Sequence, residues 1–237
     1  MNIVCTDLEG VLVPEIWVEF ARAANIPELT RTTRDEPDYD KLMKWRLGVL
    51  AEHNMGIKEI QQVIDTIEPL EGAREFLDEL RATTQVIILS DTFEQFAQPL
   101  MRKLGWPTIM CNTLEVAPDG RITGYKMRCT PSKLTTVQAL HSCGYDTIAF
   151  GDSYNDLGMI EASKAGFLFR STPEIQASHP EIRAFDDYGE LLKAVKAALK
   201  GSRPYCAIHP FTASTWYFLA RSRPFCTKPP EKRSRTM

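Results

Sequence analysis

Two acidic residues lie two positions apart directly after the first apolar segment of the chain. Residues 3–5 are apolar, Asp7 and Glu9 follow, and Gly10 then allows the backbone to turn sharply. Residues i and i+2 of a strand point to the same side, so both carboxylates would project together where this strand ends. Two neighbouring carboxylates repel each other unless a cation or a shared proton relieves them. Because Mg²⁺ favours one or two carboxylates with waters and phosphate oxygens, the pair suggests a magnesium site; an exposed turn is the alternative.

Strand and helix patterns alternate over residues 69–200. Four short apolar segments predict strands, at residues 86–89, 108–111, 147–150 and 166–169. Segments with helical spacing separate them, and a Pro-Asp-Gly sequence at residues 118–120 indicates a hairpin. This alternation predicts an α/β fold with a doubly wound parallel sheet, Rossmann-like, and helices on both faces.

Residues 14–68 lack strong strand signals and show helical periodicity instead. Pro14 can open a helix, and apolar residues later repeat at helical spacing within residues 43–50 and 57–67. The segment is far longer than an ordinary connection between two elements. We therefore predict three parts: a catalytic core at residues 1–13 and 69–200, a helical cap at residues 14–68, and a tail at residues 201–237.

Polar side chains follow three of the predicted strands. They are Asp7 and Glu9, then Ser90 and Asp91, then Asp152, Asn155 and Asp156. Ligands of doubly wound sheets bind at the carboxyl ends of the strands, so we expect these groups to meet at one site. The hydroxyl of Ser90 and the N–H groups after it suit a phosphate oxygen. The structural alternatives are a helix cap at Ser90 and an inert loop at residues 151–156.

The composition is that of a soluble globular enzyme. Of the 237 residues 43% are hydrophobic and 25% are charged, and no apolar segment approaches the ~20 residues that cross a bilayer. Asp7 and Glu9 come too early for a secretory signal. Six cysteines show no CxxC spacing, which indicates reduced thiols rather than disulfides or a cysteine metal site. We therefore expect a cytoplasmic protein without a membrane partner.

Basic residues are concentrated at the end of the chain. Residues 201–237 contain seven Lys and Arg against one Glu, so the preceding part is acidic within a total net charge of −3. An acidic body argues against a nucleic-acid surface. The tail is also rich in proline and lacks periodicity, which predicts a poorly ordered extension. One interpretation of such a sequence is a shifted reading frame. The alternative is a basic segment that docks on an acidic partner.

In chain order, four motifs resemble those of the haloacid dehalogenase-like phosphohydrolase superfamily. They are Asp7-Leu8-Glu9-Gly10-Val11, Ser90, Lys133 and Gly151-Asp152-x-x-Asn155-Asp156. The resemblance covers about residues 1–200, and the helical insert is similar to the first type of cap in this superfamily. A narrower resemblance is to phosphoserine phosphatases, especially the bacterial branch that also acts as a phosphoserine:homoserine phosphotransferase. It lies in residues 7–17, 90–93, 98–102 and 151–156.

The resemblance implies a covalent mechanism with a bound Mg²⁺. Asp7 would attack phosphorus and form an aspartyl-phosphate. Glu9 stands where the family usually has a second Asp, which protonates the leaving oxygen and later activates the acceptor. Glu is one methylene longer, and the phosphotransferase-like branch shares this difference. The implied metal ligands are Asp7, Asp152 and the backbone carbonyl of Glu9, with Asp156 in or near the outer shell.

The same resemblance implies how substrate is held. Ser90 and Lys133 would neutralise charge on the transferring phosphoryl group. Arg46 would bind the substrate carboxylate, although a surface arginine on an amphipathic helix is the alternative reading. The complete set of implied substrate-binding residues is Glu15, Arg46, Ser90, Asp91, Lys133 and Asn155. Of these, Glu15 would recognise the ammonium group, and Asn155 would contact substrate or orient Asp156.

The function implied is that of a Mg²⁺-dependent phosphoserine phosphatase in L-serine biosynthesis, with L-phosphoserine as substrate. With L-homoserine rather than water as acceptor the same site would be a phosphotransferase, and no motif distinguishes the two. A receiver-type signalling domain also uses acids, a Ser or Thr and a Lys, but its acceptor Asp follows a middle strand. A catalytically inactive, magnesium-binding relative is a further alternative. Related enzymes often pair, so a homodimer is also an expectation.

Overall fold

A seven-stranded sheet forms the centre of the fold. This computed structural model describes residues 1–32, 35–36 and 38–201. The strands are β1 Asn2–Thr6, β2 Gln85–Phe93, β3 Thr108–Val116, β4 Ile122–Lys126, β5 Asp146–Gly151, β6 Ala165–Phe169 and β7 Arg183–Phe185. Their order is β4-β3-β2-β1-β5-β6-β7, parallel except for the β3–β4 pair. The predicted tail lies outside the described residues beyond Gly201.

Strand β1 lies between β2 and β5 at the centre of the sheet. Thr6, its last residue, pairs with Ile88 on one side and with Phe150 on the other. A strand that is buried on both faces needs a continuous apolar segment, and residues 3–5 provide it. The register therefore brings the segments that follow Thr6, Ile88 and Phe150 to the same edge of the sheet.

Helices cover both faces of the sheet. They are α1 Ile16–Ala24, α2 Tyr39–Glu52, α3 Ile57–Ile64, α4 Ala73–Thr83, α5 Glu94–Lys103, α6 Ser132–Ser142, α7 Leu157–Ala162, α8 Pro173–Ser178 and α9 Tyr188–Lys200. Val4 packs in the core cluster that contains the apolar residues of α4, α5 and α9. Its neighbours Ile3 and Cys5 pack in the other cluster, with α6, α7 and α8. This arrangement confirms the predicted doubly wound α/β fold.

The predicted insert, residues 14–68, contains α1, α2 and α3. Its buried apolar residues, apart from Leu42, belong to the same core cluster as α4, α5 and α9, so it does not have a separate hydrophobic core among the described residues. Trp17 of α1 packs edge-on against Phe96 of α5, with ring centroids 5.2 Å apart. Gln61 of α3 donates a hydrogen bond to the Gln95 carbonyl at 2.9 Å. The division into cap and core stays a prediction.

Three details of the sheet differ from the sequence prediction. Residues 108–111 were expected as a short strand but begin the longer strand β3, which pairs with β2 first and with β4 afterwards. Helix α8 and strand β7 were not predicted, because six and three residues are too few to show periodicity. None of the helices among the described residues is long and apolar enough to cross a membrane.

Phe76 of α4 provides a test of the core. It is 4% exposed, and its ring lies 5.8 Å from Phe150 and 4.8 Å from Tyr188 between centroids. We expect Phe76→Ala to lower the free energy of unfolding by about 3–5 kcal/mol, because it removes buried apolar contacts and leaves a cavity. Urea denaturation measures this change.

The control is Val116→Thr, which replaces an exposed strand residue with one of similar shape. It should change the free energy of unfolding by less than about 0.5 kcal/mol. Equal effects of the two substitutions would contradict the described core.

Candidate active site

The three predicted strand ends meet at one edge of the sheet. Asp7 follows β1, and its N–H donates to the carbonyl of Phe150 in β5 at 3.2 Å. Ser90 lies within β2, and Asp152 follows the end of β5. Asp7 and Ser90 are only 5% and 2% exposed. Buried polar side chains of this kind require partners: Asp7 accepts a hydrogen bond from the Leu8 N–H at 2.7 Å, and Ser90 accepts one from the Thr92 N–H at 3.2 Å.

Lys133 joins two of these loops. It lies in the first turn of α6, and its Nζ is 2.8 Å from Oδ2 of Asp7 and 2.6 Å from Oδ1 of Asp156. Burial alone lowers the pKa of Lys133, but the carboxylates of Asp156 and Asp7 outweigh burial and raise it. The ammonium group therefore stays charged. Such a buried charge is tolerated only because both carboxylates pair with it.

Asp156 organises the loop that carries the last motif. Its Oδ2 accepts hydrogen bonds from the N–H groups of Asp152 at 3.0 Å and Ser153 at 3.1 Å. A side chain at Gly151 would not fit, because its Cβ would lie 2.2 Å from Cγ of Asp156. Both oxygens of Asp156 are thus engaged, one with Lys133 and the other with the loop backbone. This geometry suits an outer position at a metal site.

Carboxylates outnumber cations at this edge of the sheet. Oxygen atoms of Asp7, Asp152 and Asp156 lie within 4.8 Å of one another, and Lys133 is the cation among them. Burial, and then Asp156 and Glu15, raise the pKa of Asp152 to about 7. Burial and Asp156 also raise the pKa of Asp7, although Lys133 opposes them. A hard divalent cation would relieve this repulsion, so the donor set fits Mg²⁺.

Gly10 brings the first motif against Asp152. Its φ is +72°, in the region that only glycine adopts readily, and an added Cβ would lie 2.3 Å from Oδ2 of Asp152. Its N–H donates to the Val13 carbonyl at 2.8 Å, which closes the turn that leads to α1. The glycine therefore allows close packing between the two acidic loops.

Glu9 has a different environment from the other acids. Its Oε2 accepts a hydrogen bond from the Ile16 N–H at 2.9 Å, at the start of α1. Burial, and then the carboxylate of Glu15, raise the pKa of Glu9 to about 8. Glu9 is therefore mainly protonated at neutral pH and can donate a proton, as a general acid must.

Asp91 connects three segments of the site. Its Oδ1 accepts a hydrogen bond from the Ser132 hydroxyl, and its Oδ2 accepts one from Asn155 Nδ2 at 3.2 Å. Its backbone carbonyl accepts a further bond from Asn112 at 2.8 Å. These contacts hold the start of α6 and the last motif loop beside Ser90. Ser132 was missed in the sequence, where only its position next to Lys133 could have indicated it.

Arg46 projects from α2 and is 5% exposed. Its guanidinium lies 4.4 Å above the Trp17 ring centroid, and one Nη donates to the Arg31 carbonyl at 2.7 Å. Its buried Nε has no hydrogen-bond partner within the described residues. Burial lowers the pKa of Arg46 to about 10, which leaves it charged at neutral pH. A buried guanidinium with an unused donor suits an anionic ligand.

Comparison with known proteins assigns the family. A model of the haloacid dehalogenase-like hydrolases matches residues 12–161. The chain is 50% identical over 191 residues to phosphoserine phosphatase ThrH of Pseudomonas aeruginosa, an alignment that covers 81% of this chain and 93% of that protein. The chain belongs to the haloacid dehalogenase-like hydrolase family. This confirms the resemblance that the four motifs predicted.

Other members of the family agree with this assignment. A phosphoserine phosphatase of Pseudomonas syringae pv. tomato is 49% identical over 193 residues, covering 81% of each protein. A substrate-bound phosphoserine phosphatase complex superposes with a TM-score of 0.66 at 23% identity, covering 81% of this chain and 97% of the other. An apo phosphoserine phosphatase gives a TM-score of 0.65 at 24% identity, covering 81% and 97%. These structures show that the haloacid dehalogenase-like fold is shared.

Gly10→Ala tests the contact between the two acidic loops. We expect the added Cβ to displace Asp152 and to weaken Mg²⁺ binding by roughly tenfold or more, as happens when groups that orient metal ligands are changed. Isothermal titration calorimetry with Mg²⁺ measures the affinity.

Gly144→Ala is the matched control. Gly144 has a φ of +84°, but nothing lies within 4 Å of an added Cβ. This variant should show the strain of a positive φ in its stability while its Mg²⁺ affinity stays unchanged. A loss of affinity in both variants would mean that backbone strain, and not the contact with Asp152, is responsible.

The raised pKa of Asp152 predicts a pH-dependent stability in the absence of metal. Its folded-state pKa of about 7 exceeds the ordinary value of 3.8, so the folded state binds the proton more tightly. The resulting stabilisation is complete below about pH 4 and is lost as the pH rises through about 7. With a chelator present, we expect the free energy of unfolding of the wild-type protein to fall between about pH 4 and about pH 7 relative to that of Asp152→Asn. Added Mg²⁺ should reduce the fall, and a parallel pH profile for both proteins would refute the shift.

Proposed function

We propose that this protein is a Mg²⁺-dependent phosphoserine phosphatase that acts through an aspartyl-phosphate on Asp7. The observation that carries this proposal is the buried ion pair between Asp7 and Lys133, at 2.8 Å. Glu9, whose pKa burial and Glu15 raise to about 8, provides a separate acid. A nucleophilic carboxylate, a neighbouring cation and a separate acid are the groups that this two-step chemistry needs. The names of two similar relatives support the substrate assignment.

In the first step an oxygen of Asp7 attacks phosphorus, and the bond from phosphorus to the serine oxygen breaks. Glu9 gives its proton to that oxygen, so L-serine leaves as the neutral alcohol and Asp7 carries the phosphoryl group. In the second step the Glu9 carboxylate takes a proton from water as the water attacks phosphorus. The bond from phosphorus to the Asp7 oxygen breaks, inorganic phosphate leaves, and Asp7 is again a carboxylate while Glu9 again carries its proton.

Hydrogen-bond donors and positive charge at the strand ends would balance the negative charge on the phosphoryl group. Ser90 and Lys133 would donate to its oxygens, and Lys133 is held by its ion pairs with Asp7 and Asp156. Asp7, Asp152 and the backbone carbonyl of Glu9 would hold Mg²⁺, which supplies further positive charge for the phosphoryl oxygens. Asp156 stabilises this arrangement through its ion pair with Lys133 and the hydrogen bonds it accepts from the loop N–H groups.

The amino-acid end of the substrate would be held by the helical segment. Arg46 has an unused buried Nε, and its planar guanidinium suits a carboxylate that accepts two parallel hydrogen bonds. Glu15 lies close enough to Glu9 to raise the pKa of Glu9, and its exposed carboxylate is the proposed partner of the substrate ammonium. Asp91 and Asn155 would act mainly by holding the loops around Ser90.

A second candidate function uses the same first step. L-homoserine would replace water as acceptor and yield phosphohomoserine. The presence of Glu9 in place of the usual Asp favours this alternative, because the phosphotransferase-like branch has the same difference. Membership of a hydrolase family argues against a receiver-type signalling domain. A cytoplasmic role in L-serine biosynthesis and a homodimer are parts of the proposal that stay predictions.

The test incubates the protein with L-phosphoserine and Mg²⁺ and follows inorganic phosphate with and without L-homoserine. Asp7→Asn should lower turnover by at least about a thousandfold, because the nucleophile is lost. Asp119→Asn, in the exposed hairpin, is the control and should leave turnover unchanged.

Each outcome has a definite meaning. Phosphate release that homoserine does not affect makes the protein a phosphatase. Phosphohomoserine formed at the expense of phosphate makes it a phosphotransferase. No turnover of phosphoserine in either mixture would overturn the substrate assignment, and full activity of Asp7→Asn would overturn the mechanism.

A further inference from the structure

Tyr39 begins helix α2, seven residues before Arg46. Seven residues are close to two helical turns, so the two side chains leave the same face of the helix. The Tyr39 ring is partly buried and packs edge-on against Tyr125 of β4, with centroids 6.0 Å apart and planes at 85°. Tyr125 in turn packs against Phe93, the last residue of β2, with ring centroids 6.0 Å apart. Aromatic contacts therefore link the start of α2 to the strand that carries Ser90.

The two hydroxyl groups of this tyrosine pair differ in their hydrogen bonding. The hydroxyl of Tyr125 donates a hydrogen bond to Oδ1 of Asp40 at 2.7 Å. The hydroxyl of Tyr39 has no hydrogen-bond partner among the described residues. Phenylalanine would provide the same ring contact, so packing alone does not account for a hydroxyl group at position 39. A polar group left unpaired at a partly buried position suits a ligand that is absent from the free protein.

Tyr39 lies on the face of α2 that carries Arg46, and the charges of the candidate active site affect its hydroxyl. Burial raises the pKa of Tyr39; the carboxylates of Asp91 and Glu9 raise it further, while Arg46 lowers it. These three charged groups come from three different segments, and each is itself a proposed catalytic or substrate-binding residue. The hydroxyl is consequently protonated at neutral pH and available as a neutral hydrogen-bond donor.

We propose that Tyr39 is a substrate-positioning residue whose hydroxyl donates a hydrogen bond to a phosphoryl oxygen of the bound substrate. The phosphoryl end is favoured over the carboxylate end because the Tyr39 ring is linked through Tyr125 to Phe93, which lies on the strand that carries Ser90. Arg46 is already the better partner for the carboxylate. The inference rests on the proposed function only in requiring a phosphate monoester as substrate.

Product inhibition separates the two ends of the substrate. Inorganic phosphate carries the phosphoryl end and L-serine carries the amino-acid end. In Tyr39→Phe we expect the inhibition constant for phosphate to rise roughly tenfold, as for the loss of a hydrogen bond to a charged group. The constant for L-serine should stay within about twofold, and KM for L-phosphoserine should rise more than kcat falls.

Two further variants serve as controls. Tyr125→Phe removes the other hydroxyl of the ring pair and should change neither inhibition constant. Arg46→Lys should give the opposite pattern to Tyr39→Phe, with weaker inhibition by L-serine and little change for phosphate. Thermal unfolding followed by circular dichroism, with and without phosphate, reports whether Tyr39→Phe is folded and gives a second measure of phosphate binding.

Unchanged phosphate inhibition in a folded Tyr39→Phe would overturn the proposal, and so would weaker inhibition by L-serine alone. If the wild-type protein does not hydrolyse L-phosphoserine, the proposed substrate is wrong but this inference is still testable. The inhibition by phosphate is then measured with p-nitrophenyl phosphate, a general phosphate monoester. The tenfold difference between wild type and Tyr39→Phe is expected with this substrate as well.

Discussion

The ammonium group of Lys133 is the interaction on which the site depends. It is buried, and it is balanced by Asp7 at 2.8 Å and Asp156 at 2.6 Å. Removing one partner from such a cluster leaves an uncompensated buried charge, which costs about 3–5 kcal/mol. The cluster therefore requires β1, β5 and α6 to keep their relative positions. The same constraint keeps the carboxylate of Asp7 at a defined position, as a nucleophile requires.

Local environment separates the roles of chemically similar acids. Asp156 is engaged by a lysine and by backbone N–H groups, so it acts as a structural group of the loop. Glu9 is buried near Glu15 and tends to hold its proton, which suits acid catalysis. Asp152 faces an excess of negative charge that a divalent cation would neutralise. These carboxylates lie at one edge of one sheet and differ mainly in their partners.

The helical segment contributes to the site without forming a separate core. Its buried apolar residues, apart from Leu42, pack in the same cluster as one face of the sheet. Helix α2 presents Tyr39 and Arg46 on one face, so a single helix supplies both a neutral donor and a cation. Under the proposed function, these two groups would bind the two anionic ends that a phosphorylated amino acid presents. Substrate selection would then belong to the helical segment, and the chemistry to the strand ends.

The α/β class, the positions of the main strands along the chain and the four motifs could be predicted from the sequence, because these depend on short-range periodicity and on residues close together in the chain. The sequence also indicated Lys133, but the contact between Lys133 and Asp7 spans 126 positions and arises only when α6 packs against the sheet. Helix α8 and strand β7 were missed because they are too short to show a pattern. The links made by Asp91 and the placement of Tyr39 came from tertiary structure alone, since both depend on side chains that distant segments bring together.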